Sequence, residues 1–435
     1  MLQAASWKVR MAAAGVAVLV GATGVACSST KSSSTATTSA GSGGSKIPAS
    51  AFSDHTGITS SSVQLGNIST LDFGLFKGAA VGTQAYADYV NSTGGINGRT
   101  LKVNSGNDGY NNGANNKSLT TAAIQSDFAL VGSFSLNDSF GGTVLAQNPG
   151  MPDVSVTLDP TTNKLANVVS PVPLGSGWEL GPLQYFKQKF PTGVTAVGAL
   201  IADQPSAQAQ WLGEKGAMAH VGYKVIYDNT FPISQTDFTP NVIAMRNAGV
   251  KMLFIEQMPA NYASAVIKAL NQQNYHPTVV LGASTYSATL IPSSGGASAA
   301  NGDYLEQNAS LYLGEDSATI PEVGTFLKWV NEAAPGFKPD LFTLYGWVSA
   351  ELFAQALQNA GTNPSRGSLL QALSKVTSFT GNNIIAVTDP AQKTNGNCYL
   401  LAQIVSGQIQ RLDDPPPTGS THGYRCDYSY YAPAS

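Results

Sequence analysis

Ser133, Phe134 and Ser135 stand between a short apolar run and the start of a helical one. Two hydroxyls beside the free backbone N–H groups of a helix N-terminus could hold a carboxylate. Ser135, Asn137 and Asp138 are also the residue types that cap helices, a role that needs no ligand. Similar loops recur along the chain: Thr70-Leu71-Asp72-Phe73, Thr157-Leu158-Asp159, Asp203-Gln204-Pro205-Ser206, Gln257-Met258-Pro259 and Ser284-Thr285-Tyr286. Asp72 and Asp159 could pair with an ammonium, and Phe73, Phe134 and Tyr286 could sandwich an apolar or aromatic body. Phe76 and Trp211 fall inside helical runs and read first as core. The chemistry on offer is binding. The chain has no G-x-S-x-G elbow and no phosphate-loop lysine, and His55, His220, His276 and His422 are scattered without ligand spacing. No pair of carboxylates sits at a spacing that demands acid–base work. An enzyme is not expected, nor a metal or other cofactor.

Loops of this kind need a rigid scaffold, and the chain supplies a regular one. Ser62 to Ile68 reads as a strand, and Phe76, Ala80, Ala87 and Val90 share one face of a following helix. Gly94-Gly95-Ile96-Asn97-Gly98 breaks that helix and leads into a strand from Leu101 to Asn104. Helices near Ala114 to Gln125 and Ser139 to Gln147 alternate with strands at Phe128 to Gly132 and Asp153 to Val156. A second series opens after Pro171 and Pro173: helix Trp178 to Phe190, strand Ala196 to Ile201, helix Ala207 to His220 and strand Lys224 to Tyr227. It continues with helix Asn241 to Asn247, strand Met252 to Glu256, helix Asn261 to Gln272 and strand Thr278 to Gly282. Strand, helix, strand repeated in this way predicts an α/β fold of two doubly wound parallel-sheet lobes. Helices near 321–334, 340–360 and 365–375 would return to the first lobe, and a hairpin from Cys398 to Leu412 to the second. The expected division is 58–172 with 303–379, against 173–302 with 380–435, joined by a three-segment hinge near 171–174, 299–304 and 379–381. In open α/β sheets the ligand sits beyond the carboxyl ends of the strands, where the loops above converge.

The stretch Asn91-Ser92-Thr93-Gly94-Gly95-Ile96-Asn97-Gly98-Arg99, followed by Gly106-Asn107-Asp108, resembles the signature of the Leu/Ile/Val-binding proteins. These are the type I periplasmic substrate-binding proteins of branched-chain amino-acid ABC transporters. Val131-Gly132-Ser133, Asp237-Phe238-Thr239 and Tyr345-Gly346-Trp347 support the likeness, which spans about residues 58 to 412. The glycines themselves read as turn formers, since they permit positive φ without touching a ligand. The resemblance implies a ligand carboxylate held at Ser133, Ser135 and Thr157, with Asp159 where amino-acid binders use a Thr toward the ammonium. It also marks departures: Ser206 or Ala207 and Met258 stand where amino-acid binders place tyrosines, and about Ser284 where they use a Glu to pair the ammonium. A buried ammonium without a carboxylate costs several kcal/mol. Either Asp72 or Asp159 supplies one, or the ligand lacks the ammonium. The expected ligand is therefore a small acid or amide with an apolar or aromatic body, bound by Asp72, Phe73, Ser133, Phe134, Ser135, Thr157, Asp159, Gln204, Gln257 and Tyr286.

The N-terminus says where this happens. Lys8 and Arg10 precede an apolar run, Ala12 to Val25, that is shorter than the roughly twenty residues a bilayer span needs. Gly24-Val25-Ala26-Cys27 looks like a lipobox, although Gly24 replaces the usual Leu. Residues 1–26 are thus expected to be a signal peptide and Cys27 a lipid-bearing first residue. Residues 27–57 form a tether whose serine- and glycine-rich part has too little apolar content to order itself. Export leaves Cys398 and Cys426 as an even pair, bridged or as two free thiols. Loss of Lys8 and Arg10 takes the 23 basic and 26 acidic residues to 21 and 26, a net charge of −5. Such a chain offers nucleic acid no basic face. The sequence predicts a monomeric lipoprotein on the extracytoplasmic side of the cell membrane. It would capture a small organic molecule (amino acid, amide or aromatic or apolar acid) by hinge closure and, as the resemblance implies, deliver it to an ABC permease. A ligand sensor on the same fold, and more remotely an exported hydrolase, are the alternatives.

Overall fold

The first apolar run forms strand β1 (Ser62–Ser69), buried on both faces except at Gln64, as expected of a strand covered by helices on each side. The computed structural model describes residues 47–173, 177–256, 258–413, 422–426 and 430–431, and only the backbone of Phe73, Asn395 and Tyr430. The expected signal segment, Cys27 and Gln257 lie outside the described residues. After β1 come α1 (Lys77–Ser92), β2 (Thr100–Asn107), α2 (Gly113–Ser126), β3 (Ala129–Val131), α3 (Asp138–Gln147), β4 (Asp153–Val154) and α4 (Pro160–Asn163). The four strands make one parallel sheet in the order β2-β1-β3-β4. Gly95 ends α1 at φ +74°, and a Cβ there would lie 2.1 Å from the Arg99 carbonyl oxygen, so the GGINGR turn needs its glycine for backbone reasons.

The second series follows: β5 (Trp178–Glu179), α5 (Leu180–Lys189), β6 (Val197–Ala202), α6 (Pro205–Val221), β7 (Val225–Phe231), α7 (Thr239–Ala248), β8 (Met252–Ile255), α8 (Ala260–Gln272), β9 (Thr278–Leu281), α9 (Leu290–Ser293) and β10 (Tyr304–Gln307). Then come α10 (Pro321–Ala333), α11 (Leu341–Asn359), α12 (Arg366–Leu373), β11 (Thr388–Asp389), β12 (Thr394–Asn395), β13 (Leu400–Val405), β14 (Gln408–Arg411) and β15 (Tyr430–Tyr431). The larger sheet has the order β14-β13-β10-β9-β8-β6-β7, parallel except where β13 runs against β10 and β14. Trp178 and Glu179, expected to open a helix, instead pair with Tyr431 and Tyr430 as an antiparallel strand.

Strand β10 has no counterpart in the sequence-based reading. Tyr304-Leu305-Glu306-Gln307 is fully buried yet half polar, so it lacks the apolar run that marks an interior strand. Its place in the larger sheet moves the second crossing: the chain leaves this lobe after Gln307, not at 299–304. Residues 308–310 then run beside 384–386, through Ala386 N–H to the Asn308 carbonyl and Ser310 N–H to the Ile384 carbonyl. Thr388 Oγ1 donates to the Pro171 carbonyl at 2.7 Å, bringing the third connecting segment alongside.

Helices α10 and α11 pack on α1, on the side of the smaller sheet. The crossing of α1 with α11 is built on glycine. A Cβ at Gly82 would lie 1.9 Å from the Thr343 carbonyl oxygen, and one at Gly346 would lie 2.2 Å from that of Ala79. Asp340 caps α11 through Thr343 N–H at 2.8 Å, with the Thr343 hydroxyl reciprocating, and this fixes the first turn of the helix. Cys398 and Cys426 form a disulfide, and Tyr399 bridges to Arg425 beside it.

Candidate functional site

A cleft of ≈ 250 Å³ opens between the carboxyl ends of the two sheets. One wall is aromatic. Phe134 follows β3, Phe76 immediately precedes α1, and Phe342 and Tyr345 lie on the first turns of α11. The Phe76 ring centroid is 4.7 Å from that of Phe134 and 4.6 Å from that of Phe342, both edge-on, and Phe134 is 5.9 Å from Tyr345. Interlocked edge-to-face rings hold one another in place and present an apolar surface. Leu136, Leu158 and Leu341 extend it.

Phe134 reaches the cleft because its neighbours turn inward. Ser133 Oγ accepts the Ile68 N–H at 3.0 Å, and the Ser133 N–H donates to Ser155 Oγ at 3.0 Å. Ser135 Oγ donates to Asp108, which also accepts from Thr70, Asn116 and Asn137. Ser133, Ser135 and Thr157 line a separate internal cavity of ≈ 30 Å³ that shares no wall residue with the cleft. The structure thus places the three hydroxyl residues away from the cleft and two of them in loop-stapling bonds. The expected acids are also engaged elsewhere. Half-buried Asp72 accepts from Asn107 Nδ2 at 2.7 Å and Tyr110 N–H at 2.9 Å, which holds its carboxyl below the usual range. Asp159 caps α4 through Thr162 N–H at 2.7 Å. Tyr286 is wholly buried, its hydroxyl donating to Glu315 at 2.6 Å, and it does not line the cleft. Trp211 packs in the core of the larger-sheet lobe, whereas Phe76 both packs and lines the cleft.

Of the expected residues with described side chains, Phe134 and Gln204 reach the cleft. Gln204 Nε2 lies 3.4 Å from the Tyr110 hydroxyl, so this bond runs from the larger-sheet lobe to the loop after β2. The departures noted above all reach it as well. Ser206, Ala207, Met258 and Ser284 line the opposite wall, where small side chains leave the volume open. Ser284 Oγ is turned onto backbone, donating to the carbonyls of Glu256 and Met258 at 2.8 Å each.

That opposite wall is acidic, and no expectation covered it. Glu179 of β5, Glu256 just after β8 and Glu306 of β10 line the cleft, with Glu214 of α6 behind them. Gly282 makes the room, since a Cβ there would come within 2.8 Å of the Cα and Cβ of Glu256. Burial raises Glu256 well above the ordinary carboxyl range, and the charges of Glu214, Glu306 and Glu179 raise it further. Glu306 is raised likewise by burial and then by Glu179 and Glu214, and burial pushes Glu179 up to about 7. Glu256 Oε1, Glu306 Oε2 and both amide atoms of Gln307 meet no protein partner, although Gln307 is only 1% exposed. Buried polar atoms are ordinarily satisfied, so these point to something the cleft receives. Among the described residues, no lysine, arginine or histidine lines the cleft. No group of three or more metal-capable side chains occurs among them, and no helix is long and apolar enough to cross a membrane. A signal for the acidic wall existed in the sequence only as a glutamate directly ending a predicted strand, at Glu256.

Comparison with known proteins gives the same architecture. A family model described as periplasmic binding protein matches residues 66–408. No curated protein matches the sequence. Among solved structures, the chain is similar to a fatty acid ABC transporter substrate-binding protein from Thermomonospora curvata, with 16% identity and a TM-score of 0.67, covering 82% of this chain and 94% of that one. It is similar to a solute-binding protein of an ABC transporter from R. palustris in complex with 4-hydroxybenzoate, with 16% identity, a TM-score of 0.65 and coverage of 81% and 95%. A branched-chain amino acid transporter substrate-binding protein, LivJ, from Streptococcus pneumoniae in complex with isoleucine has 16% identity, a TM-score of 0.64 and coverage of 81% and 99%.

Proposed function

This chain belongs to the periplasmic binding protein family, and from that premise we propose that it is an extracytoplasmic solute-binding protein that captures a small organic ligand between its two lobes and delivers it to an ABC permease. The observation that carries the reading is the cleft itself: aromatic on one lobe, acidic on the other, and lined by buried polar atoms without protein partners. The similar structures contain or are named for a fatty acid, an aromatic acid and an amino acid. Their common fold therefore leaves the ligand to be read from the cleft of this chain. Its apolar wall of Phe76, Phe134 and Phe342 calls for an apolar or aromatic body.

Closure would bend the three segments that lie side by side, 171–173, 308–310 and 384–388, with few residues absorbing the rotation. Trp178 lines the cleft, so a bound solute is expected to change its emission and raise the melting temperature together. A library of small solutes in which no member does either would count against capture at this site. The tether is part of the proposal: residues 1–26 direct export, and acyl chains on Cys27 hold the protein at the membrane, two or more chains being needed for a stable hold. Cys27→Ser should then appear in the medium or remain unprocessed. If it stays in the membrane fraction and is cut normally, the tether is wrong.

A further inference from the structure

We propose that the ligand of this cleft is a small organic ammonium ion with an apolar or aromatic body and no carboxylate, its cationic head seated on Glu256, Glu306 and Glu179 and its body against Phe76, Phe134 and Phe342. The inference rests on the reading of the cleft as the solute site and adds the charge of what it takes.

Three observations carry it. First, the wall supplied by the larger-sheet lobe gathers three glutamates, and no lysine, arginine or histidine among the described residues lines the cleft to balance them. Taking carboxylates out of water without a partner is costly, so a cluster of this kind is stable only when protonated or when a cation joins it. Second, the acids have acceptor atoms to spare. Glu256 and Glu306 are 7% exposed, each with one carboxyl oxygen unpartnered, and Gln307 beside them offers an amide oxygen and an amide nitrogen with no protein partner. An ammonium has three donors and no acceptor, which complements the three oxygens of this set, while the Gln307 amide nitrogen, itself a donor, faces another part of the ligand or water. Third, no cationic group among the described residues of the cleft would receive a carboxylate, and the unpartnered donors there, Trp178 Nε1 and Gln307 Nε2, are neutral. Ser133, Ser135 and Thr157 line another cavity, and the Ser284 hydroxyl is spent on two backbone carbonyls. Among the described residues, an acid entering as its anion would meet three glutamates and no lysine, arginine or histidine.

The raised carboxyls agree with this picture. Burial first, and then the neighbouring glutamates, make ionisation of Glu256 and Glu306 costly in the free site, and a cation offsets that cost on binding. The sequence alone predicts an acid or an amide. The acidic wall, drawn from β5, β8 and β10, replaces that expectation and answers the missing ammonium partner with residues other than Asp72 or Asp159.

The test uses matched probes that differ only at the head: phenethylamine, phenylacetamide and phenylacetate, with isoamylamine and leucine beside them, measured by calorimetry and thermal shift. The amines are expected to bind at least tenfold more tightly than the amide, the acid or leucine. Glu256→Gln and Glu306→Gln keep size and hydrogen bonding but remove charge. Each should weaken amine binding roughly 10- to 150-fold, the range of a charge-assisted bond, while raising the melting temperature of the free protein. That opposite pair of changes is not produced by a merely damaged fold. Silent amines, an amide or acid that binds as well as the amine, or amine affinity unmoved in both variants would overturn the assignment. Binding of the acid, amide or leucine with the amines silent would overturn the head group and leave solute capture standing, whereas silence from every probe counts against both.

Discussion

Gly82→Leu is expected to destabilise the protein by about 3 kcal/mol or more and to dismantle the aromatic wall of the cleft. The cause is a backbone contact. A Cβ at this position would fall 1.9 Å from the Thr343 carbonyl oxygen and 2.9 Å from Trp347 N. No rotamer change can relieve that approach, so α1 and α11 must separate. The same crossing carries Gly346, whose own Cβ would meet the Ala79 carbonyl, so the two helices have no slack on either side. The first turns of α11 hold Phe342 and Tyr345, and Trp347 behind them donates to Glu322 at 2.9 Å. Displacing the helix therefore reaches the cleft as well as the core. Gly324, exposed in α10 with nothing within 4 Å of where a Cβ would stand, is the control. Gly324→Ala should stabilise by roughly 0.5–1 kcal/mol, the ordinary helix preference of alanine over glycine. Denaturant midpoints that show Gly82→Leu equal to the parent would show that the crossing is not tight.

Cys398→Ser is expected to cost roughly 3 to 4 kcal/mol in the chain-entropy treatment of a loop of this length, the two cysteines being 28 residues apart. The second consequence is local. Arg425 next to Cys426 bridges to Tyr399, and the chain beyond it returns Tyr430 and Tyr431 to pair with Glu179 and Trp178 at the cleft. The Tyr431 ring also sits against α6, within 2.9 Å of where a Cβ on Gly216 would be. Freeing Cys426 from its anchor should therefore expose Trp178, red-shifting its emission under conditions where the fold as a whole persists. The measurement is a urea titration with and without reductant, followed by far-ultraviolet circular dichroism and tryptophan emission. Coincident midpoints in the two conditions would dismiss the disulfide as a stabilising element.

Most of the scaffold was legible because its signal is periodic. Apolar runs such as Val197–Ala202 and Met252–Ile255, punctuated by Gly222, Gly249 and the GGINGR turn, mark parallel strands and helix ends through sterics that act locally. Strand β10 escaped because Glu306 and Gln307 break its apolar run, and they are the residues the cleft needs. Trp178–Glu179 escaped because their strand partner lies some 250 residues away at Tyr430–Tyr431, a pairing with no local trace. The site followed the same division. The segments after the strands were readable, and the structure brings Phe134, Gln204, Met258 and Ser284, with Ser206 and Ala207 on the first turn of α6, to the cleft. Side-chain direction was not. Ser133 and Ser135 turn inward around Phe134 because Ser133 Oγ takes the Ile68 N–H of β1 and Ser135 Oγ donates to Asp108, just beyond the end of β2, and no spacing along the chain announces that.

The two lobes are expected to close on a solute held between them. Small-angle X-ray scattering of the protein, free and saturated with the tightest-binding solute found by calorimetry, tests it most directly. The saturated protein is expected to show a smaller radius of gyration and a shorter maximum dimension, with the change abolished when a bulky side chain is placed in the cleft by Ala207→Trp. Superimposable scattering curves from the free and the saturated protein would contradict it.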